Sequence, residues 1–287
     1  MFSPLTELAN NFIPSADPPA AFSSSSSSLL KTVLITDDVH CDADFLVNHF
    51  LHSFVKAESP TVLVHGAQTL SHYQLVASKC GVHLQSAIDK SAAVAVDGMQ
   101  LLADALSSPD AHDERFLTRV LFDAIVRAVE TLRPGDLSSP ASSSPSSPRL
   151  LLLIDDLSLL SSLGVSPRHV AAFLYALRRR FATLPVTLVF RLHEDVEEEI
   201  EEDEEPRLVP LFAHQCHAHF CVRGLATGFC KEVHGAIEVA ERISVDDGDG
   251  KNGGDGAMTY VKKKERQFKI GEKSVSIFAP GLSAAVL

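Results

Sequence analysis

Two hydrophobic patterns alternate along residues 32–192 of this 287-residue chain. Short apolar runs predict buried strands, and between them apolar residues recur three and four positions apart, which predicts helices. The predicted strands are TVLIT (32–36), TVLVH (61–65), AAVAVDG (92–98), LLLLID (150–155) and PVTLVFRL (185–192), and the predicted helices cover 42–57, 71–81, 113–132 and 166–181. Strands that alternate with helices indicate a parallel sheet with helices on both faces.

The pattern changes after residue 213. The segments HQCHAHFCVRG, IEVAERISV, AMTYVKKKERQFKI and KSVSIFA follow one another with no helical stretch between them, and they predict consecutive strands. A parallel α/β core with an antiparallel β extension at its C-terminal end is the RecA-like plan. We therefore predict an α/β fold with a single RecA-like domain over residues 31–287, preceded by an N-terminal helix and a Ser-rich linker over residues 1–30.

Three low-complexity segments interrupt this pattern. The stretch near 137–148 is rich in Ser and Pro, the stretch near 194–206 is acidic, and the stretch near 246–256 is rich in Gly and Asp. Compositions of this kind predict disordered loops. The formal net charge is −12, but residues 194–205 carry ten acidic groups, so the remainder is close to balance at about −2. The fold itself therefore lacks a dominant charge of either sign.

The cysteine count and the lengths of the apolar runs indicate the cellular compartment in which this protein is expected. Five cysteines are an odd and sparse set for a chain of this length, which favours a reduced intracellular protein over a disulfide-bonded one. No apolar run approaches the length that spans a bilayer, and the first residues lack a basic segment followed by an apolar one. We expect neither a membrane span nor a secretory signal.

The loop after the first predicted strand is where a RecA-like ATPase holds phosphate. Such a loop uses glycines to wrap the phosphates, a lysine to neutralise them and a Ser or Thr to hold Mg²⁺. The segment TDDVHCDAD (36–44) contains neither Gly nor Lys and presents Asp37 and Asp38 instead. Each carboxylate close to a phosphate costs about 4 kcal/mol per unit-charge pair, at about 4 Å and an effective dielectric near 20.

A second pair of aspartates follows the fourth predicted strand. Asp155 and Asp156 stand where a Walker-B carboxylate would stand, but that carboxylate acts on Mg²⁺ already held by an intact phosphate loop. A cap of the strand end or a contact to a neighbouring subunit is the favoured interpretation. We predict degenerate Walker motifs around Asp37, Asp38, Asp155 and Asp156, with no cofactor and no catalytic residue.

Two further clusters each allow a structural and a functional interpretation. HQCHAHFC (214–221) has possible zinc ligands, but on a strand they divide between two faces, so a partly buried strand is favoured over a metal site. The basic residues near the C-terminus fit either an edge strand protected by lysines or a contact with RNA phosphates. These residues are Lys262, Lys263, Lys264 and Arg266. The arginines at 178–180 divide in the same way, between complementing a helix dipole and contacting phosphate.

Five blocks of sequence resemble the Elongator complex protein six family, whose members are accessory subunits of the Elongator complex. They are DFLVNHFL (44–51), SHYQLVASKCGV (71–82), LLLIDDLSLLSSLG (151–164), GLATGFCKEVHG (224–235) and FKIGEKSVSIFAPGLSAAVL (268–287). The blocks recur in family order over most of the chain. The Ser-rich and acidic stretches look like filling of the family's loops.

The resemblance implies a RecA-like fold without working Walker motifs and a subunit that is not an enzyme. It implies assembly with Elongator proteins four and five into a hetero-hexameric ring with two copies of each. That ring would dock on the catalytic part of Elongator, which modifies the wobble uridine of certain tRNAs, and would bind and release tRNA. Cytoplasmic residence, with nuclear presence left open, fits this role.

Within such a ring the segment at 224–235 is a candidate subunit interface. The candidate residues are Gly224, Leu225, Gly228 and Phe229. The glycines permit a tight turn and close backbone approach, although a plain turn between two strands explains them equally. Two other functions compete with the ring subunit: a divergent ATPase that binds nucleotide on its own, and an RNA-binding protein that acts alone. The near-neutral core weakens the second of these.

Overall fold

Nine strands form one mixed sheet. The computed structural model describes residues 3–14, 29–133, 148–194, 207–228, 230–245, 258–271 and 274–281. The strands are β1 (Leu30–Asp37), β2 (Thr61–His65), β3 (Ala93–Asp97), β4 (Leu150–Asp155), β5 (Val186–His193), β6 (Ala218–Arg223), β7 (Gly235–Val245), β8 (Met258–Ile270) and β9 (Val275–Phe278). Their order across the sheet is β3-β2-β4-β5-β1-β6-β7-β8-β9. The strands from β3 to β6 run parallel, and β7, β8 and β9 add antiparallel pairs. The predicted α/β fold with an antiparallel C-terminal extension is confirmed.

Helices connect the parallel strands. They are α1 (Ser3–Ala9), α2 (Asp44–Lys56), α3 (Leu70–Lys79), α4 (Leu84–Asp89), α5 (Gly98–Leu106), α6 (Glu114–Leu132), α7 (Ser158–Ser162), α8 (Pro167–Arg180) and α9 (Leu208–Ala213). The four helices predicted after residue 30 correspond to α2, α3, α6 and α8. The sequence pattern missed α4, α5, α7 and α9, because each spans nine residues or fewer and shows too little of a helical period.

Each face of the sheet carries its own hydrophobic core. Helices α1 to α4 pack on one face and α5 to α9 on the other. In β4 alternate residues serve alternate cores: Leu151 and Leu153 face the first, and Leu150 and Leu152 face the second. Burial on both faces is why this strand reads as an uninterrupted apolar run.

The first core covers one face of the antiparallel extension. Ile237 and Val239 of β7 and Phe268 of β8 belong to that core, and none of the described residues of β7 or β8 belongs to the second. Strand β9 pairs only with the end of β8, from Gln267 to Ile270. Residues 262–266 therefore have β7 on one side and, within the described ranges, no strand on the other.

The N-terminal helix packs into the body of the fold. Leu5, Leu8 and Phe12 are buried in the first core. The three predicted disordered loops lie almost entirely outside the described residues. Among the helices that the structure describes, none combines the length and apolar character that crossing a bilayer requires.

Candidate functional site

Three strand ends meet at the carboxyl edge of the parallel sheet. Asp37 ends β1, Asp155 ends β4, and β5 runs between these two strands. Both aspartates are buried, with 2% and 0% of their surface exposed. The structure therefore brings together the predicted Walker-type carboxylates of the two strands, and it places a third strand between them.

Arg191 of β5 occupies the space between these carboxylates. Its Nη2 lies 2.5 Å from Asp37 Oδ2 and 3.1 Å from Asp42 Oδ1, and its Nη1 lies 2.6 Å from Asp44 Oδ1 and 3.3 Å from Asp155 Oδ1. The guanidinium is 2% exposed. One fixed cation thus faces four carboxylates and offsets their negative charge.

His193 supplies a second cation two residues further along β5. Its Nδ1 lies 2.6 Å from Asp37 Oδ1 and its Nε2 lies 3.0 Å from Asp156 Oδ2. Hydrogen bonds to Asp156 and Asp37 raise the pKa of His193 to about 10. At neutral pH the ring is therefore an imidazolium that joins the end of β1 to the residue after β4.

Burial raises the pKa values of the acidic groups, whereas the neighbouring cations lower them. Burial raises the pKa of Asp37, but hydrogen bonds from His193 and the charge of Arg191 bring that pKa below its ordinary value. Burial and then the neighbouring Asp42 raise the pKa of Asp44 to about 6. Burial also raises the pKa of Asp155, whose Oδ2 accepts a hydrogen bond from the hydroxyl of Tyr73. We call these eight residues the carboxyl-edge cluster: Asp37, Asp42, Asp44, Tyr73, Asp155, Asp156, Arg191 and His193.

In the loop between β1 and α2, backbone amides donate hydrogen bonds to aspartate side chains of the same segment. The amide of Ala43 donates to Asp37 Oδ2 at 2.8 Å, the amide of His40 donates to Asp38 Oδ1 at 2.9 Å, and the amide of Asp44 donates to Asp42 Oδ1 at 2.5 Å. A phosphate-binding loop offers such amides to phosphate oxygens. Here the aspartates of the loop already accept them, which leaves the loop poorly suited to a polyphosphate.

The segment predicted as a subunit interface lies beside this loop. The amide of Gly224 donates to Asp38 Oδ2 at 3.4 Å, and a Cβ at Gly224 would lie 2.9 Å from the Cβ of His40. Leu225 is partly buried, and Gly228 is exposed with a φ of +85°. Phe229 lies outside the described residues. Close backbone approach explains Gly224, and the left-handed conformation explains Gly228.

An exposed apolar side chain adjoins the same loop. Val39 is 77% exposed, although it follows directly on the end of β1. Isolated exposed valines are common, so this residue by itself indicates no partner.

The basic residues of β8 lie away from the carboxyl-edge cluster. Lys263 Nζ pairs with Glu238 Oε1 at 2.7 Å, across the β7–β8 ladder. Lys262 and Lys263 are exposed, and Lys264 and Arg266 are half-buried. All four lie on the part of β8 that pairs with β7 alone in the described structure. This placement agrees with lysines that protect an open sheet edge, and it leaves their side chains accessible to phosphate.

The histidine-rich segment differs from the predicted strand. Residues 214–217 link α9 to β6, because the chain is helical as far as Ala213 and the strand starts only at Ala218. His217 Nδ1 lies 2.9 Å from Thr32 Oγ1, and His219 Nε2 lies 2.8 Å from Thr36 Oγ1. Within the described ranges no three His, Cys, Asp or Glu side chains are grouped to hold a metal ion.

Sequence reasoning missed the cations of the carboxyl-edge cluster. The apolar pattern places Arg191 within a predicted strand and indicates no role at the site for His193 or Tyr73. One signal was present: Arg191 is a charged residue in the otherwise apolar run VTLVF-R-L, and a strand buried on both faces tolerates such a residue only with partners. The identity of those partners depends on the order of the strands, which the sequence pattern does not contain.

The strand order and the two layers of helices define a RecA-like fold. A KaiC-like protein of the hyperthermophilic archaeon Pyrococcus horikoshii superimposes with a TM-score of 0.55 over 86% of this chain and 89% of its own. The two sequences are 13% identical, so this likeness concerns the fold alone.

Sequence comparison assigns the family. The family model described as Elongation complex protein 6 matches residues 21–261. Elongator complex protein 6 of Xenopus laevis is 37% identical over 254 residues, which cover 87% of this chain and 91% of the relative. The human protein of the same name is 34% identical over 260 residues, with the same coverage of 87% and 91%. The chain belongs to the Elongator complex protein 6 family.

Proposed function

We propose that this chain is a non-catalytic subunit of the Elongator complex. Membership of the Elongator complex protein 6 family is the observation that carries this proposal. In the proposed assembly, two copies of the chain join Elongator proteins four and five in a hetero-hexameric RecA-like ring. The ring docks on the catalytic subcomplex and supports modification of the tRNA wobble uridine by binding and releasing tRNA.

The carboxyl-edge cluster supports the non-catalytic part of the proposal. A nucleotide would have to displace Arg191 from Asp37 and Asp155, or place its phosphates beside five carboxylates. The amides that could bind phosphate are hydrogen-bonded to aspartates of their own loop. The chain is therefore proposed to have no cofactor and no catalytic residue, and chemistry is assigned to another subunit.

Two surfaces are proposed for partners. The segment with Gly224, Leu225, Gly228 and Phe229 is the proposed subunit interface, supported by the contact of Gly224 with the loop after β1. The basic stretch of β8 is the proposed RNA contact within the ring, through Lys262, Lys263, Lys264 and Arg266. Its support is the exposure of Lys262 and Lys263 on a stretch of β8 that pairs with β7 alone within the described residues. The proposed location is the cytoplasm, and also the nucleus, which a fluorescent fusion would test.

The mass of the assembly tests the ring. This chain is co-expressed with the two sister subunits, and the purified product is measured by light scattering after size exclusion. A species that contains two copies of each chain is expected. Recovery of this chain as a lone monomer under the same conditions would contradict the proposal.

Nucleotide binding tests the competing function. A divergent ATPase would bind ATP as an isolated chain and would lose that affinity in the Asp155→Asn variant. We expect no ATP-dependent heat in titration calorimetry for either protein. Saturable binding that Asp155→Asn abolishes would replace the non-catalytic proposal by the ATPase.

A further inference from the structure

Four cationic side chains gather at the amino-terminal edge of the parallel sheet, opposite the carboxyl-edge cluster. Their elements all start or end there: the first strands begin at this edge, α8 ends above it, and β7 returns to it antiparallel to β6. We call these side chains the amino-edge patch: Lys31 of β1, Arg149 directly before β4, Arg178 in the last turn of α8 and Arg242 of β7. The sheet thus carries cations at one edge and carboxylates at the other.

Side chains of the amino-edge patch donate hydrogen bonds to neutral groups. Arg149 Nη1 donates to the carbonyl oxygens of Leu29 at 2.8 Å and Val186 at 2.9 Å. Arg178 Nη1 donates to Gln215 Oε1 at 2.9 Å. Lys31 Nζ donates to a backbone carbonyl of the N-terminal segment and lies 5.7 Å from the centre of an aromatic ring there. Within the described part of the chain, no carboxylate lies within 4.0 Å of any of the four cations.

Among the described residues, the burial of these cations is not offset by a carboxylate. Lys31, Arg149 and Arg178 are half-buried. Burial and then the charge of Arg149 lower the pKa of Lys31, and burial and then Arg133 lower the pKa of Arg149. Cations that lose water without gaining a counter-ion cost free energy, and a bound anion would recover it. The patch therefore suits a negatively charged partner.

His217 lies at the centre of the patch. Its Nδ1 accepts a hydrogen bond from the amide of Thr32 at 3.0 Å, which places the ring proton on Nε2, and its carbonyl accepts from the amide of Arg242 at 2.9 Å. Burial lowers the pKa of His217 to about 4, and all four cations of the patch act in the same direction. The ring is neutral at pH 7, and its titration reports on the charge around it.

We propose that the amino-edge patch binds phosphates of an RNA backbone. The Arg149 guanidinium lies at the starts of β5 and β1, so the four cationic groups extend from there to β7 over two to three strand intervals, about 10–14 Å at about 4.8 Å each. An array of this length suits successive charges of a polymer better than a single small anion. Guanidinium groups match phosphate oxygens in bidentate geometry. The carboxylates at the opposite edge repel a polyanion and so orient it toward the patch.

This inference rests on the proposed function only for the choice of anion, since that function brings the chain to tRNA. It adds a contact surface distinct from the basic stretch of β8. The two surfaces can therefore be separated by charge-matched variants.

The test uses the full chain and an oligouridylate of about 20 nucleotides. Fluorescence anisotropy measures affinity between about 50 and 200 mM salt for the wild type and for two double variants, Arg178→Gln/Arg242→Gln and Lys262→Gln/Lys264→Gln. Both variants remove two positive charges, and the second serves as the matched control. Thermal unfolding checks that both remain folded. A single-strand contact contributes about 0.7 to the salt slope, so loss of two contacts lowers the slope by about 1.4.

We expect Arg178→Gln/Arg242→Gln to bind roughly tenfold more weakly than the wild type at about 100 mM salt, with the reduced slope. Unchanged binding by this variant overturns the inference, and a loss confined to Lys262→Gln/Lys264→Gln assigns the RNA contact to β8 alone. Absence of RNA binding by the wild type at about 50 mM salt also overturns it. The ring can still assemble in that case, so failure of this inference and failure of the proposed ring are distinguishable.

A second readout reports on the patch directly. Proton NMR follows the His217 ring, assigned with the His217→Gln variant, with and without oligouridylate. Bound phosphate should raise the pKa of His217 above about 4, because it offsets the surrounding cations, while burial, the larger cause, keeps that pKa below its ordinary value. An oligoglutamate peptide is the comparison ligand. A shift with the peptide and none with RNA would assign the patch to an acidic protein segment and overturn the RNA assignment.

Discussion

Replacement of Arg191 by methionine tests whether the guanidinium holds the carboxyl-edge cluster together. Methionine is similar in length and fills the same space without a charge. In the Arg191→Met variant, Asp37 and Asp155 remain buried and face each other with no cation between them. Like charges in a site with little water repel each other strongly. We therefore expect the variant to fold but with much lower stability.

The magnitude follows from burial and from the number of contacts. Removing one member of a buried ion pair costs about 3–5 kcal/mol, because the partner stays buried without compensation. Arg191 is 2% exposed and has four carboxylate oxygens within 3.3 Å, so the upper part of this range applies. Domains of this kind have total stabilities of about 5–15 kcal/mol. The variant should therefore lose a third or more of its stability.

Urea denaturation followed by far-UV circular dichroism measures the loss at pH 7. The control is Arg180→Met, which removes an arginine whose side chain is 35% exposed and whose Nη2 lies 3.7 Å from Glu130 Oε1. A solvent-accessible pair of this kind contributes about 0–1 kcal/mol, so the control should unfold close to the wild type. Arg180 lies on a helix surface and Arg191 lies in the core, so the comparison isolates the effect of burial.

The pH dependence gives the sign of the effect. In the wild type the pKa of Asp37 is below its ordinary value, so the stability it contributes is present above pH 3.8 and is lost as pH falls through the lowered pKa. In Arg191→Met the carboxylates take up protons more readily, and protonation relieves the repulsion. The difference from the wild type should therefore shrink between pH 7 and pH 5. A loss below about 1 kcal/mol, or a loss that does not change with pH, would refute the reasoning.

Three other positions at or beside the site have measurable roles. The pKa of His193 is raised to about 10, so the stability it contributes is complete below pH 6.5 and is lost as pH rises toward 10; His193→Asn should flatten the stability curve over that interval, and an unchanged curve would contradict the ion pairs. Tyr73→Phe removes the donor to a buried carboxylate and should cost about 1–3 kcal/mol in urea unfolding, whereas the exposed Tyr175→Phe should cost almost nothing. Gly235→Ala places a Cβ 2.6 Å from the carbonyl oxygen of Arg223 and should lower stability by about 1–3 kcal/mol, and a neutral result in thermal unfolding would show that the β6–β7 ladder can shift.

The prediction of a degenerate phosphate loop rests on composition alone. Glycine and lysine are absent from 36–44, the residue types with which a phosphate loop wraps and neutralises phosphates. The burial of β4 on both faces is also evident from the sequence, because a strand covered on both sides has to be apolar throughout. The basic stretch of β8 was found as a charge pattern. Its position on an open edge needed the register with β7 and β9.

The carboxyl-edge cluster and the amino-edge patch could not be found in this way. Arg191 meets Asp37 across 154 residues of chain and Asp155 across 36, and this encounter depends on β5 lying between β1 and β4. Likewise, Lys31, Arg178 and Arg242 are unremarkable as separate residues and become a patch only when their elements reach the same edge.

The sequence by itself determined the strands, the longer helices and the alternation of layers, because apolar periodicity acts over a few residues. The tertiary structure alone decided which charges meet. The order of strands in a sheet arises from packing of whole faces, and it brings together side chains that are far apart in the chain. A buried charge is tolerable only beside its partner, so the assignment of Arg191 to the aspartates is a property of the folded sheet.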